Sequence, residues 1–470
     1  MSPRTVLSFI DEGPLQQRVR IEERIVEPRP DERHQEVLEL GPFHTAAAAN
    51  GGLLSLGDGL FSVLAGFPPI ARQLDAAHRA GNVLLIEDLE ADSQRLPWET
   101  LRTPTGGFLA LSDSPYLGRV VTPFSQLRTL QSTWDGTLRV VAVLAATGAQ
   151  PDGRMITAIE ELEALVEGLR APGSPPFELT VLSSDFNLGG PPADDLEKAV
   201  AALGDPAVKF EELLDLASIE EALERIQPQI LHFFCHGLAG DDEDKPRLEL
   251  SLRDDQIGHR TRGSLILEAT TVAELVKGRS KLWLLVLNCC LGANASESVS
   301  FARQVMTDSG QTLPAMIAMR EAIDRRDAHL FTGSFYRTAG PMIAETAGKA
   351  RADLRWIEAL PAVRKHICRE RVQVLSRASE SPEWTLPVIY VRREAFEIVG
   401  PAPADGGEPA AHLEAEDSAE TIDRLEGEIA FLKSVRNDLV VSSPDLPAEK
   451  LAILDDRIND LRRQLMEALT

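Results

Sequence analysis

Two short stretches set reactive side chains at the ends of apolar runs. Residues Lys281 to Ala293 carry Cys289 and Cys290, and residues Gln229 to Gly237 end in Cys235, His236 and Gly237. A thiolate is a strong nucleophile, and an imidazole beside it can take up the thiol proton and later hand one to a leaving group. A cysteine that ends a buried strand ahead of a helix start is helped toward the thiolate by backbone dipoles, which is the context expected for Cys290. Gly237 lacks a side chain, so a substrate carbonyl could approach its backbone, and the N–H groups of Gly237 and Cys290 could together hold an oxyanion. The chemistry so assembled is acyl transfer through a thioester. Each residue also has a plainer reading: free cysteines are usually small buried hydrophobes, and a histidine at a strand end is often a hydrogen-bonded core residue. The recurrence of the two types on two similar strands favours the reactive pair. Cys289 is expected on the opposite face from Cys290, in packing, and His232 is expected to be structural.

Such side chains meet only if a fold delivers both strand ends to one place. Both runs are continuously apolar rather than alternating, which is the mark of parallel strands covered by helices on two faces, with chemistry at their carboxyl ends. From Leu138 onward the chain alternates strand and helix: Leu138–Leu144, Phe177–Ser183, the His236 strand, Arg247–Leu252, the Cys290 strand, Pro314–Met319 and Leu386–Val391 read as strands. Met155, Ile159, Leu162, Val166 and Leu169 recur at helical spacing, as do Ile219, Leu223 and Ile226. Helices are also expected over Asp194–Leu203, Thr271–Lys277, Glu297–Met306, Asp324–Thr338 and Pro341–Leu375. Before Leu138, strands over Arg4–Asp11, Gln17–Arg24, Asn82–Glu87, Gly107–Leu111 and Leu117–Thr122 form a mixed α/β part with few helices. Gly400–Asp417 is rich in Pro, Ala, Gly and Glu, a linker composition. Beyond it, stripes of Ile422, Leu425, Ile429 and Leu432 and of Leu451, Leu454, Ile458, Leu461 and Leu465 read as a helical hairpin that docks on a partner, on another copy or on the body of the protein. The domain reading is therefore 1–130, 137–398, a linker at 399–417 and the hairpin at 418–470.

Composition narrows the class. The chain has 470 residues, 43% of them hydrophobic, and a formal charge of -25. Nucleic acid is a poor partner for such a surface, since phosphate binding needs clustered Lys and Arg. Four cysteines, two of them adjacent, do not make a secreted disulfide framework. The N-terminal residues lack the apolar core of a signal peptide and no run reaches about twenty apolar residues, so a soluble cytoplasmic protein is expected, with no membrane partner. No cofactor is expected. Zinc would need ligands that converge, whereas neighbours in extended strands point apart and no Cys-x-x-Cys spacing occurs. The Gly-rich stretches lack the Lys-Ser/Thr of a phosphate loop.

Several segments resemble the CHAT peptidases, a branch of the caspase-like cysteine proteases that also includes separases and metacaspases. Leu96-Pro-Trp-Glu-Thr-Leu-Arg102 with Gly107–Leu111 is similar to the family's PWE-LL segment, Leu231-His-Phe-Phe-Cys-His-Gly237 to its strand ending in His-Gly, and Leu287-Asn-Cys-Cys-Leu-Gly292 to its LSAC-x-x-G. Phe331–Tyr336 and Leu386–Tyr390 agree as well. The resemblance runs from about Asn82 to Val391 and implies a caspase-like, mostly parallel sheet flanked by helices. It implies Cys290 as nucleophile and His236 as acid/base of a cysteine endopeptidase. Three positions depart from the family: Cys289 replaces a small residue, Gly292 comes one residue early, and Asn288 stands where metacaspase relatives place an acid that pairs with a basic substrate residue. A preference for Arg or Lys would then draw on Glu297 or Asp324, so Asn288, Glu297 and Asp324 are the expected substrate-pocket residues. Family members commonly act in bacterial defence and cell-suicide systems, held inactive until a sensor or partner releases them. The resemblance implies a regulated effector that takes protein substrates, with the hairpin as the contact for an activator or for self-association. The alternatives are a catalytically silent scaffold and an oligomerising regulatory subunit.

Overall fold

The computed structural model describes residues 4–400, apart from 14–15, 25–33, 40–51, 67–70, 72–73, 76–82, 89–95, 104–105, 114–115, 122–129, 147, 150–154, 157, 186–194, 239–245, 259–262, 290–300, 311, 321–322, 348, 350 and 393–394. The chain divides into two units, Met1–Pro401 and Ala402–Thr470, and the second lies outside the described residues with the expected hairpin.

The first third of the chain contributes β1 (Arg4–Gly13), β2 (Gln16–Arg24), β3 (His34–Glu39), helix α1 (Leu53–Ala65), β4 (Val83–Asp88), β5 (Leu117–Val120) and β6 (Leu130–Thr133). Then come β7 (Leu138–Leu144), the short pair β8 (Gly148–Ala149) and β9 (Met155–Ile156), α2 (Ile159–Leu169), β10 (Phe177–Ser183), α3 (Leu196–Leu203), β11 (Val208–Glu212) and α4 (Leu216–Ile226). The central segment supplies β12 (Ile230–Phe234), β13 (His236–Leu238), β14 (Arg247–Leu250), α5 (Arg253–Ile257), β15 (Leu265–Glu268), α6 (Ala269–Val276) and β16 (Leu284–Asn288). The last part adds α7 (Phe301–Asp308), β17 (Ala315–Met319), α8 (Arg325–Ala347), β18 (Arg351–Asp353), α9 (Leu360–Val372), β19 (Pro387–Val391) and β20 (Phe396–Val399).

Twelve of these strands form one sheet in the order β11-β10-β7-β12-β16-β17-β19-β5-β4-β1-β2-β3. From β11 to β17 all neighbours are parallel; β19 turns antiparallel to β17, and β5, β4 and β1 then run parallel to β19. The expected mostly parallel α/β fold is therefore present. Strand order reverses between β7 and β12, because α2 leads outward from β7 to β10 while the chain later returns to β7's other side. In open α/β sheets a crevice forms beyond the carboxyl ends at such a switch point.

The two faces of the sheet are covered differently. On one, α2, α3, α8 and α9 bury residues such as Leu162, Leu165, Phe331, Phe335 and Ile367; on the other, α4, α6 and α7 bury Leu223, Val272, Val276, Phe301 and Val305. Helix starts carry side-chain caps where the sequence offers them: Asp195 accepts from the Lys198 N–H, and Asp215 with Ser218 forms a reciprocal box. Helix α8 runs straight through Pro341, where two separate helices were expected. An interior proline costs a helix about 3 kcal/mol or more, through the lost N–H and the clash of its ring, and packing of this 23-residue helix on both α2 and α9 outweighs that. Leu109–Leu111, expected as a strand, is a single buried 3-10 turn. An edge strand, β11, arises where none was expected, since Val208–Glu212 has one buried residue and no apolar run.

The Pro-Trp-Glu segment has a structural explanation. Glu99 sits in a 3-10 turn (Trp98–Thr100), 2% exposed, and takes two hydrogen bonds from Arg119 of β5, from Nε at 3.2 Å and Nη2 at 3.0 Å. Arg119 also donates to the Leu96 carbonyl at 3.1 Å. Arg320, just beyond β17, stands 3.9 Å from the same carboxylate and donates to Thr385, while Arg364 of α9 donates to the Pro387 carbonyl. Burial raises the Glu99 pKa, and the guanidinium of Arg119 more than offsets this, leaving it below its ordinary value. Burial beside Arg119 and Arg320 brings Arg364 down to about 10. One carboxylate thus ties the early segment to the strand and helix that close the sheet.

Two outcomes are expected. Glu99→Gln leaves three buried guanidinium groups without their anion and costs about 3–5 kcal/mol, read as a fall in the denaturant midpoint. Gly168 allows α2 to touch α8: a Cβ there would lie 2.7 Å from the Tyr336 Cβ and 3.0 Å from the Gly333 carbonyl oxygen. Gly168→Ala therefore forces the helices apart at a cost of about 1–3 kcal/mol, measured in the same way.

Candidate active site

Strands β12 and β16 are adjacent and parallel, and Phe234 pairs with Asn288 at their carboxyl ends. His236 lies two residues beyond the first and Cys290 two residues beyond the second. Cys290 and Glu297 lie outside the described residues. β12 stops at Phe234, Cys235 makes a bend, and His236 to Leu238 form a separate strand antiparallel to β14. The single strand expected to end in His-Gly is thus two strands in two sheets. His236 is partly buried and Gly237 is buried. Across β14, His236 faces Glu249, whose carboxylate is 2% exposed and stands 3.5 Å from the Arg247 Nε.

Alternation along the two strands sorts their side chains. Ile230, Phe234, Leu284 and Val286 belong to the core under α2 and α8; Leu231, Phe233, Leu285 and Leu287 belong to the opposite core. Cys235 and Cys289 continue this second set and are buried as free thiols. A hydrogen bond with Cys235, together with burial, holds the Cys289 thiol well above its ordinary pKa, so it stays protonated and inert. The expectation that Cys289 lies in packing is met, since it is 1% exposed within the second core.

His232 and Asn288 point the other way, into a polar cluster within the α2/α8 core. Its centre is Glu161 of α2, whose side chain is wholly buried. Its Oε1 lies 3.0 Å from the His232 Nε2, 2.9 Å from the Asn288 Nδ2 and 2.5 Å from the Thr332 Oγ1. Its Oε2 lies 2.7 Å from the His329 Nδ1. The Tyr336 hydroxyl is 3.2 Å from the His232 Nδ1. Asn288 also donates to the Ala328 carbonyl at 3.1 Å. Burial alone would raise the Glu161 pKa; the hydrogen bonds and charge of His232 and His329 prevail and bring it down to about 2. Tyr336 is pushed well above its usual range by burial and by the Glu161 charge.

His232 is therefore a buried, hydrogen-bonded core residue, in line with the structural place expected for it. Of the expected pocket residues, Asn288 is 1% exposed and its amide is engaged by Glu161, Thr332 and Ala328. Asp324 caps α8 through the Asp327 N–H at 3.0 Å and pairs with Arg371 of α9. Glu161 and His329 were not singled out from sequence, and Thr332 and Tyr336 entered only within the Phe331–Tyr336 likeness. One signal was available: Glu161 sits one residue before Leu162 and four before Leu165, on the apolar stripe of α2, where an acid demands buried partners. Among the described residues, no group of three or more His, Cys, Asp or Glu side chains is arranged to hold a metal ion. Among them, too, no helix is long and apolar enough to cross a membrane.

The depressed Glu161 pKa has a sign that can be checked. An ordinary value of 4.5 in the unfolded chain against about 2 in the fold gives stability that is complete above pH 4.5 and is lost as the pH falls toward 2. The denaturant midpoint of the wild type is expected to fall across that window more steeply than that of Glu161→Gln.

The CHAT domain family model matches residues 55–358, more than half of the chain. No curated protein matches. Two crystal structures of Saccharomyces cerevisiae separase in complex with securin are similar at 14% identity and TM-score 0.33, and at 13% and 0.31. Each match covers 67% of this chain but 15% and 16% of the separase chain, so the matched length is a small part of that protein. On the family match, the chain belongs to the CHAT domain family.

Proposed function

We propose that the protein is a cysteine endopeptidase in which Cys290 is the nucleophile and His236 the acid/base. The observation that carries this reading is the pairing of Phe234 with Asn288 on adjacent parallel strands, each two residues short of one member of the pair. Neighbouring strands lie about 4.8 Å apart, so the two segments leave one edge of the sheet side by side. The burial of Cys289 and its raised pKa support assigning the chemistry to its neighbour. His236 takes the Cys290 proton, the thiolate attacks a peptide carbonyl, and the N–H groups of Gly237 and Cys290 hold the oxyanion. The imidazolium then protonates the departing amine, and water hydrolyses the thioester with His236 as base. Specificity draws on Glu297 and Asp324. The reading extends to a regulated effector of bacterial defence in the cytoplasm, with residues 418–470 as the contact for an activating partner or a second copy.

New protein N-termini produced by the wild type and absent with Cys290→Ala are the expected result, mapped by terminal proteomics in cell extract. A Cys290-directed thiol probe should label the wild type and lose its rate in His236→Ala. Identical termini from both proteins, with probe labelling indifferent to His236, would leave a scaffold role instead.

A further inference from the structure

The buried cluster around Glu161 is not used by the chemistry above, yet it grips both strands that lead to it. A carboxylate taken out of water costs several kcal/mol, and apolar residues of similar volume would hold two strands together at least as well. What an ionised hub adds is direction, because each donor must point at it. Here the donors come from β12, β16 and α8. Asn288 is the last paired residue of β16, two positions before Cys290. His232 lies four positions before His236, and the ring of Phe234, between them, stands 5.6 Å from that of His329.

We propose that Glu161 is a positioning residue: through His232 and Asn288, held on one carboxylate oxygen, it fixes the ends of β12 and β16 and so sets the approach of His236 to Cys290. This rests on the Cys290–His236 reading given above. The remaining charged groups around the hub are Glu160, 3.2 Å from the His329 Nε2, and Arg325, which pairs with Glu160 at 2.6 Å. His329 lines a surface cleft of about 650 Å³ and is the route by which the cluster reaches solvent among the described residues.

The test is the pH profile of iodoacetamide alkylation at Cys290, located by peptide mass, in the wild type, His236→Ala and Glu161→Gln. Cys235, Cys289 and Cys368 are buried and serve as internal reporters, since all label quickly if a variant unfolds. Glu161→Gln is expected to slow Cys290 alkylation at neutral pH about tenfold and to displace its profile, with the three buried thiols still protected, because small misplacements of reacting groups cost this much. A rate and profile equal to wild type, with the other thiols protected, overturns the proposal. A wild-type profile indifferent to His236→Ala overturns the catalytic pair itself, whatever Glu161 does. Should Glu161→Gln unfold, Thr332→Val removes one donor and keeps the charge. A slowing of about threefold at Cys290 is then expected, and an unchanged rate overturns the proposal.

Discussion

Everything at the candidate site depends on the register between β12 and β16. Both are buried on two faces, so sliding one strand by a single residue would send Phe233 and Leu287 toward α2 and drive His232 and Asn288 into the opposite apolar core. That cost is far larger than anything a loop could repay. The register therefore keeps Phe234 level with Asn288, and the segments beyond them inherit a fixed relation.

Two buried carboxylates complement this alignment, and they differ in design. Glu99 faces three guanidinium groups, and it joins the early segment to β5, β17 and α9. Such a centre is a permanent fastener. Glu161 faces two imidazoles, an amide and a hydroxyl, and it joins β12 and β16 to α8. The close approach of α2 and α8 at Gly168 brings Glu161 within reach of Thr332 and His329. The Pro-Trp-Glu segment, which carries much of the family likeness, belongs to the first of these centres.

Much of this was legible in the chain. Continuous apolar runs identified β7, β10, β12, β16, β17 and β19, because strands buried on both faces leave a pattern that length and flanking residues separate from helices. The inward place of Cys289 followed from simple alternation. Less visible were the break of β12 at Cys235 and the new strand β13, since apolar character continues across the bend while hydrogen bonding changes partner. The half-buried strand β11 and the unbroken helix α8 were likewise hidden, the one by weak patterning and the other by Pro341.

The sequence by itself determined where the long buried strands lie and that a sulfur and an imidazole follow two of them, because burial periodicity and residue type are local properties. Only the tertiary structure decided that Phe234 and Asn288 are partners, that Asn288 is bound to a charged glutamate, and that His329 and Thr332 complete its shell. Those relations join residues up to 171 positions apart. They arise from the order in which strands enter the sheet and from how closely two helices pack, and no short stretch of sequence encodes either.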